Sequence, residues 1–417
     1  MTLVTSGAMS AYGVLRIEHG DTTEGHMAER EYDLVLFGGT GFTGGLTAEY
    51  LARHAPESCR WALAGRSPAK LERLRDRLAR INADCAALPL LEADVADTES
   101  LRRLAESTRV VITTVGPYLH YGEALVAACA RSGTDYVDLT GEPEFVDRMY
   151  LAHHETARAT GARLVHACGF DSVPYDLGVY FTVQHLPKNV PLTVEGQLRV
   201  HAEFSGGTYA SALTVFSRRR QMARAARRRR EVEKRPPDRR VHLPKGPLYR
   251  DRETGRWMVP LPTIDPQIVG RSAAALDRYG PDFTYRHYAS VKRLPTVAVA
   301  GLGLGALGVL ARFAPVRDAL GHLRKPGEGP SEERRMRSWF AVRFVGEGGG
   351  ERVVTEFAGG DPGYDETAKM LAESALCLAF DKLPATSGQV TPTVAMGDAL
   401  LTRLAGAGLT IRVVRRS

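Results

Sequence analysis

The stretch YDLVLFGGTGFTGG, residues 32–45, decides how this chain is read. Tyr32 to Phe37 has the length and composition of a buried strand. It passes directly into glycines spaced as Gly39-x-Gly41-x-x-Gly44, ahead of a helical pattern. At a strand-to-helix turn such glycines allow a tight backbone path and the close approach of a pyrophosphate, while the helix N-terminus presents N–H groups to phosphate oxygens. Gly38, Gly39, Thr40, Gly41, Phe42, Thr43 and Gly44 are therefore the expected phosphate loop of a dinucleotide. The competing reading is a tight turn that binds nothing.

Outward from that turn, the next strand ends in Ala64-Gly65-Arg66-Ser67. An acidic residue about 20 positions past the glycines would accept from a ribose 2′-hydroxyl. Arg66 instead offers a planar fork of donors to a 2′-phosphate, Ser67 adds a hydroxyl, and Lys70 follows one helical turn on. The cofactor expected is NADP(H); the alternative is an Arg66 that simply faces solvent. Asp94 is placed to approach the adenine end or, equally, to cap a helix over 98–106.

From residue 32 to about 167, strand-like runs at 32–37, 60–64, 86–91, 109–114, 134–138 and 163–167 alternate with helical patterns. One of these, 68–80, repeats Leu71, Leu74 and Leu78 on one face. Six strands with crossover helices predict an α/β fold, a doubly wound parallel sheet of Rossmann type. Beyond Asp176 the pattern changes. Residues 194–204 alternate like a half-buried strand, and 339–345 with 352–358 read as two strands joined by the turn GEGGGE. Residues 365–380 read as a helix with Asp365 as its N-cap, and 392–405 as another. The stretch 234–293 has no clear period and reads as loops with short helices. The division expected is a disordered leader over 1–30, a Rossmann domain over 31–175, a second α+β domain with antiparallel strands over 176–384, and a C-terminal segment, 385–417, packing back on the Rossmann domain. Met27 lies just ahead of the first strand and is a candidate translation start.

Composition narrows the function. Of the 417 residues 44% are apolar and 25% charged, ordinary values for a globular protein. The five cysteines are scattered and never spaced as CxxC, so neither a disulfide framework nor a metal site is expected. Residues 1–30 lack a signal-peptide pattern, which favours the cytoplasm. Residues 296–311 carry no charge but fall short of the roughly 20 residues of a membrane span. They read as a buried glycine-rich segment, or as one that lines an acyl chain or touches the plasma membrane peripherally. The net charge of +7 is local: residues 218–240 hold eleven Arg and one Lys against three acids, so the rest of the chain is slightly acidic. This run lacks interleaved aromatics, which argues against nucleic acid. A solvated helix face, or docking of an acidic carrier protein or anionic lipid, fits it better. No complete GxSxG is present, which argues against a serine hydrolase.

Ligands of open α/β sheets bind beyond the carboxyl ends of the strands. The loops after the fourth, fifth and sixth strands hold the candidate acids: Tyr118, then Tyr121, then Asp171, with His120 and Cys168 beside them. Gly116 and Pro117 would let backbone approach the nicotinamide. Each acid also has a structural reading: Tyr118 capping a turn, Cys168 filling core, Asp171 capping a helix near Val173.

Taken together, GGTGFTG, AGRS, TVGPY at 114–118, DYVDLTGE at 135–142 and HACGFDSVP at 166–174 resemble the saccharopine dehydrogenase-like oxidoreductases, and within them the actinobacterial trans-acting enoyl reductases. The resemblance runs from about Glu31 to the C-terminus. It implies a Rossmann domain, a second α+β domain, and reduction of an enoyl double bond in a lipid or polyketide-type acyl thioester held on a carrier protein or polyketide synthase. A non-catalytic NADP-binding protein at lipid surfaces and a lysine-pathway saccharopine dehydrogenase are the alternatives.

Overall fold

The computed structural model describes residues 30–202, 218–234, 236–293 and 329–417. Residues 1–29 of the expected leader, Met27 among them, and the apolar run 296–311 lie outside the described residues. The first part of the chain runs β1 (Tyr32–Phe37), α1 (Phe42–His54), β2 (Trp61–Gly65), α2 (Pro68–Ala79), β3 (Leu90–Glu92), α3 (Thr98–Ser107), β4 (Thr108–Thr113), α4 (Tyr118–Tyr121), α5 (Glu123–Ser132), β5 (Asp135–Asp138), α6 (Pro143–Thr160), β6 (Arg163–Val165) and α7 (Val173–Val183). It continues through β7 (Leu192–His201), α8 (Arg219–Val232), β8 (Arg240–His242), β9 (Tyr249–Arg250), β10 (Trp257–Pro260), α9 (Asp265–Ala275), β11 (Asp282–Val291), α10 (Glu332–Met336), β12 (Trp339–Gly348) and β13 (Glu351–Gly359). Then come α11 (Asp365–Phe380), β14 (Gly388–Val390), α12 (Pro392–Gly406) and β15 (Thr410–Arg416).

The first sheet has the order β14-β6-β5-β4-β1-β2-β3, with every neighbouring pair parallel. It is buried on both faces, as parallel sheets must be. On β1, Leu34 and Leu36 enter one core with α1, α2 and α11, while Val35 and Phe37 enter the other with α3 and α5. Leu71, Leu74 and Leu78 are all buried, the face that the 68–80 spacing predicts. The doubly wound α/β reading holds. One strand shifts: residues 83–87 form a 3-10 turn started by the Asn82 side chain, which accepts from Asp84 N, so β3 begins only at Leu90.

The second sheet is mixed. Its order is β15-β13-β12-β7-β11-β10-β9, with β8 on β11. The β12–β13 hairpin is antiparallel as expected, but β11 runs parallel to both β7 and β8. The stretch 234–293 is more ordered than its sequence suggests, holding α9 and four strands. In β11 the alternating Phe283, Tyr285 and His287 face the core, and the Arg286 between them hides the period. Asp365 is the first residue of α11, not its cap: the Asp361 carboxylate accepts from Tyr364 N and Asp365 N at 2.8 and 3.2 Å. From the C-terminal segment, β14 extends the first sheet and β15 the second.

Candidate functional site

All six loops expected at the site leave the carboxyl edge of the first sheet. The phosphate loop is the tightest of them. Gly38 has φ +96°, and a Cβ there would lie 2.7 Å from Val115 Cγ2; a Cβ on Gly44 would lie 2.3 Å from Gly38 O. Neither position admits another residue without moving backbone. Gly41 stands at the N-cap of α1, where a Cβ would meet nothing nearer than Gly38 O at 3.5 Å, and the first-turn N–H groups of the helix have no acceptor within the helix. Thr40 is exposed, and Gly39 and Thr43 lie below it in the same turn. Phe42 does a different job: its ring meets Tyr364 edge-on at 4.8 Å, lies under the Arg335 guanidinium and packs at Gly329. It clamps the glycine loop to the second half of the chain and leaves its backbone to the cradle.

Arg66 is exposed, Ser67 half-buried, and no acid pairs with Arg66 among the described residues. Asp94 is not the cap of α3. Asp97 is, accepting from Glu99 N and Ser100 N, while the Asp94 carboxylate accepts from Ala96 N at 2.9 Å. Beside Asp94 opens a groove of about 500 Å³ lined by Val95, Ala96, His120, Tyr121, Glu123 and Ala124. Tyr121, 48% exposed, therefore stands toward β3, the adenine side of such a sheet, and away from β5 and β6.

Tyr118 departs from its expected role as a proton donor. It is buried, and its hydroxyl donates to Thr113 O at 3.2 Å and accepts from Leu139 N at 3.1 Å, pinning the loop after β4 to the loop after β5. Burial drives its phenol well above the ordinary tyrosine range. Glu142 completes the pin by accepting from Tyr118 N and Leu119 N at 3.1 and 2.9 Å, so Gly116 and Pro117 are presented as an exposed, backbone-held rim. Asp138 performs the same service one strand on. It accepts from Thr140 N, Ala167 N and the Tyr136 hydroxyl, and it meets His166 Nδ1 at 2.6 Å. The motif DYVDLTGE is thus largely architecture.

Asp171 is the candidate acid that the structure leaves free. It is half-buried in the loop after β6, makes no hydrogen bond among the described residues, and lies against Gly141, where a Cβ would come within 2.9 Å of Oδ2. Burial pushes its carboxyl above the usual range. The helix after it is capped not by Asp171 but by Ser172, whose φ of +135° is rare for an L-residue and costs about 1–3 kcal/mol. Cys168 is fully buried, and burial raises its thiol well above normal, so it behaves as core. Across the cleft, Phe340 meets Phe170 at 4.9 Å and Thr367 receives Phe170 N, bringing the second sheet and α11 against this loop.

The basic run 218–240 divides. Arg220, Arg224, Arg227, Arg228 and Arg230 on α8 are exposed. Arg229 is buried, with Nε 2.5 Å from Asp147 on α6 and a further pair to Glu233, and Arg218 grips Glu144 at 2.7–2.8 Å. A wholly solvated helix face is therefore not what folds here. Among the described residues no group of His, Cys, Asp and Glu is arranged to hold a metal, and no helix is long and apolar enough to cross a membrane.

Residues 34–165 match the family described as the saccharopine dehydrogenase NADP binding domain, which makes NADP(H) the cofactor of this wall. Most of the chain is similar to a protein of Mycobacterium tuberculosis provisionally named a trans-acting enoyl reductase, at 40% identity over 93% of this chain and 98% of that one. It is also similar to the trans-acting enoyl reductase of Mycobacterium ulcerans, at 36% identity over 93% and 99%. Among solved structures, apo saccharopine dehydrogenase (L-Glu forming) of Saccharomyces cerevisiae shares the fold, with TM-score 0.52 at 12% identity over 92% of this chain and all of that one. Likeness of this degree runs through both sheets, and the chain belongs to the trans-acting enoyl reductase family of saccharopine dehydrogenase-like oxidoreductases.

Proposed function

We propose that this NADP-dependent oxidoreductase reduces the double bond of an enoyl thioester presented by a separate carrier protein or synthase. The family sets the reaction class, and the unpaired Asp171 carboxyl at the substrate end of the cleft is the observation that carries the mechanism. The glycine loop from Gly38 to Gly44 would hold the pyrophosphate, Arg66 and Ser67 the 2′-phosphate, and the groove by Asp94 and Tyr121 the adenine, with Gly116 and Pro117 at the nicotinamide rim. NADPH held there would supply the hydride that the β-carbon needs. Asp171, whose carboxyl burial raises above the usual range, would give its proton to the α-carbon, while Glu142 and Tyr118 hold the opposite loop in place. The exposed arginines of α8 offer an anionic carrier a docking face. The division into a Rossmann domain over 31–175 and a substrate or partner domain over 176–384 follows the same reading.

Purified protein should oxidise NADPH with an enoyl N-acetylcysteamine thioester, and Asp171→Asn should lose kcat by roughly 10²–10⁴ with NADPH affinity intact. Binding of NADPH without its oxidation on any enoyl, keto or imine substrate would favour a non-catalytic NADP-binding protein, and turnover of saccharopine would point to lysine metabolism.

A further inference from the structure

The loop that carries Asp171 is strained at both ends. Among the described residues three non-glycine positions have positive φ, Ala167 at +59°, Ser172 at +135° and Asn189 at +59°, and two of them bracket this loop. Asparagine visits such conformations readily, whereas alanine and serine do so only when their surroundings leave no other choice. At Ala167 the restraint is Asp138, whose side chain accepts from Ala167 N at 2.9 Å and whose carbonyl accepts from Cys168 N at 2.7 Å. Between the ends, Phe170 N donates to Thr367 Oγ1 at 3.1 Å and Val173 N to Gly169 O at 3.0 Å.

Ser172 has a restraint from outside the loop. Its backbone stands at φ +135° and ψ −38°, where a glycine would carry no Cβ penalty. The hydroxyl is what glycine lacks, and it donates to Asp265 Oδ1 at 3.4 Å with both side chains buried. Asp265, at the start of α9, is 2% exposed and is itself fixed from behind. Its Oδ2 accepts from the Thr263 hydroxyl, and His287 of β11 stands with Nε2 3.4 Å from that oxygen. The His287 ring is held in turn by Tyr285 OH, 2.9 Å from Nδ1, and by the Tyr175 ring at 4.7 Å. With Oδ2 occupied, Oδ1 is left for Ser172. No Lys or Arg pairs with Asp265 among the described residues, so what it supplies to the loop is an acceptor atom, which an amide oxygen can replace.

Asp171 lies between these restraints. Its carboxyl makes no hydrogen bond of its own among the described residues and rests where Gly141 leaves room, a Cβ there falling 2.9 Å from Oδ2. Backbone alone aims it, and the peptide that joins it to Ser172 is the one that the unusual φ turns. We propose that Ser172 and Asp265 are positioning residues for Asp171, their hydrogen bond holding the Asp171–Ser172 peptide in the turned conformation that sets the Asp171 carboxyl beside Gly141. This rests on the reading of Asp171 as the acid. Released from Asp265, Ser172 relaxes toward an ordinary negative φ, and the peptide swings with the Asp171 side chain attached. A displacement of about 1 Å at a reacting group is enough to cost roughly a hundredfold in rate. The glycine loop and Arg66 are untouched by this change, so NADPH binding is spared.

The test measures kcat and KM for crotonyl N-acetylcysteamine thioester and the Kd of NADPH, with the full chain. Ser172→Ala and Asp265→Ala should each lower kcat roughly ten- to a hundredfold, with KM and the NADPH Kd within about twofold of wild type. Asp265→Asn keeps an oxygen for Ser172, and its amide nitrogen can donate to Thr263 Oγ1, so it should recover most of that loss. In an Asp171→Asn background neither Ser172→Ala nor Asp265→Ala should slow turnover further, because residues that act only through Asp171 have nothing left to position. Should Asp265→Ala fail to fold, Ser172→Ala and Asp265→Asn carry the same comparison. Wild-type kcat in Ser172→Ala, an Asp265→Asn as slow as Ser172→Ala, or the same fold loss with and without Asp171 would each overturn the proposal. A crystal structure of Ser172→Ala separates it from the assignment of the acid. If the 171–172 peptide turns away from Gly141 while Asp171→Asn retains full turnover, the positioning is real and the acid lies elsewhere. If the peptide stays as in wild type, the proposal fails whatever the rates.

Discussion

Replacing Arg229 by Met should destabilise the protein far more than any other change in its arginine-rich helix. Arg229 is 4% exposed, and Asp147 beneath it is fully buried, with Nε 2.5 Å from Oδ1. Without the guanidinium, Asp147 would keep a single neutral donor, Gln267 Nε2 at 2.8 Å, and its Oδ2 already has no hydrogen bond. Removing one partner of a buried pair typically costs about 3–5 kcal/mol, because a desolvated charge is left behind. That is a large part of the roughly 5–15 kcal/mol that holds a native protein together. Burial already raises the Asp147 carboxyl, and Arg229 opposes that rise. In the variant the carboxyl would rise further, so the penalty should grow with pH above the unfolded-state value of about 3.9. Urea denaturation should show a lowered midpoint with unchanged slope, while Arg228→Ala, at an exposed position of the same helix, should stay within about 0.5 kcal/mol of wild type. Arg229→Met combined with Asp147→Leu should recover most of the loss. A single variant no worse than Arg228→Ala, or a double variant no better than the single, would refute the argument. The result also bears on carrier docking: a block replacement of Arg227 to Arg230 would unfold protein and remove charge together, so docking must be tested with Arg220, Arg224 and Arg228.

Arg66→Ala should weaken NADPH roughly ten- to a hundredfold and leave NADH unchanged, by fluorescence titration; equal affinities of wild type for the two cofactors would remove Arg66 from the 2′-phosphate site. Tyr118→Phe should cost about 1–3 kcal/mol in denaturation by leaving Thr113 O and Leu139 N unpaired, without moving the pH profile of turnover as loss of a proton donor would. Gly44→Ala drives a Cβ to 2.3 Å from Gly38 O and should abolish NADPH binding while Gly41→Ala, where nothing lies nearer than 3.5 Å, does so less completely. Asp265 titrates near 8 in the folded chain and near 3.9 unfolded, so its stability contribution falls as pH rises through that window; His287, near 3 folded and about 6.5 unfolded, loses stability as pH falls through its own. The two oppose each other below about 6.5, so the net decline should be seen between about 6.5 and 8, and Asp265→Asn should flatten it in a thermal-shift series.

The parallel sheet is legible because its signals are local. A strand feeding a glycine turn and Leu71, Leu74 and Leu78 on one face need no knowledge of distant residues. The expected strand over 86–91 is shifted to Leu90–Glu92 for an equally local reason that outranks propensity, the Asn82 side chain starting a 3-10 turn. The site is legible only in outline. Topology places Tyr118, Tyr121 and Asp171 on the correct edge, but whether a ring turns inward depends on partners such as Leu139 N, 21 residues away. Asp265 and His287 meet from different elements 22 positions apart, Asp265 also takes Ser172 from nearly a hundred residues upstream, and no periodicity records that meeting. The signal that was available was the alternation of Phe283, Tyr285 and His287, which marks a histidine facing core and hence one worth asking about.

The strand Gly388–Val390 pairs with Arg163–Val165 across an interval in which the whole second sheet except its last edge strand is built. A ribosome making this chain therefore exposes an unfinished sheet edge, with β6 unpaired on one side, for more than two hundred residues of synthesis. Contacts of such sequence separation are slow to form, and unpaired edges recruit other strands. The nascent protein should depend on chaperones through that interval, and ribosome-bound chains arrested before residue 388 should be protease-sensitive at β6, becoming protected only once β14 has emerged.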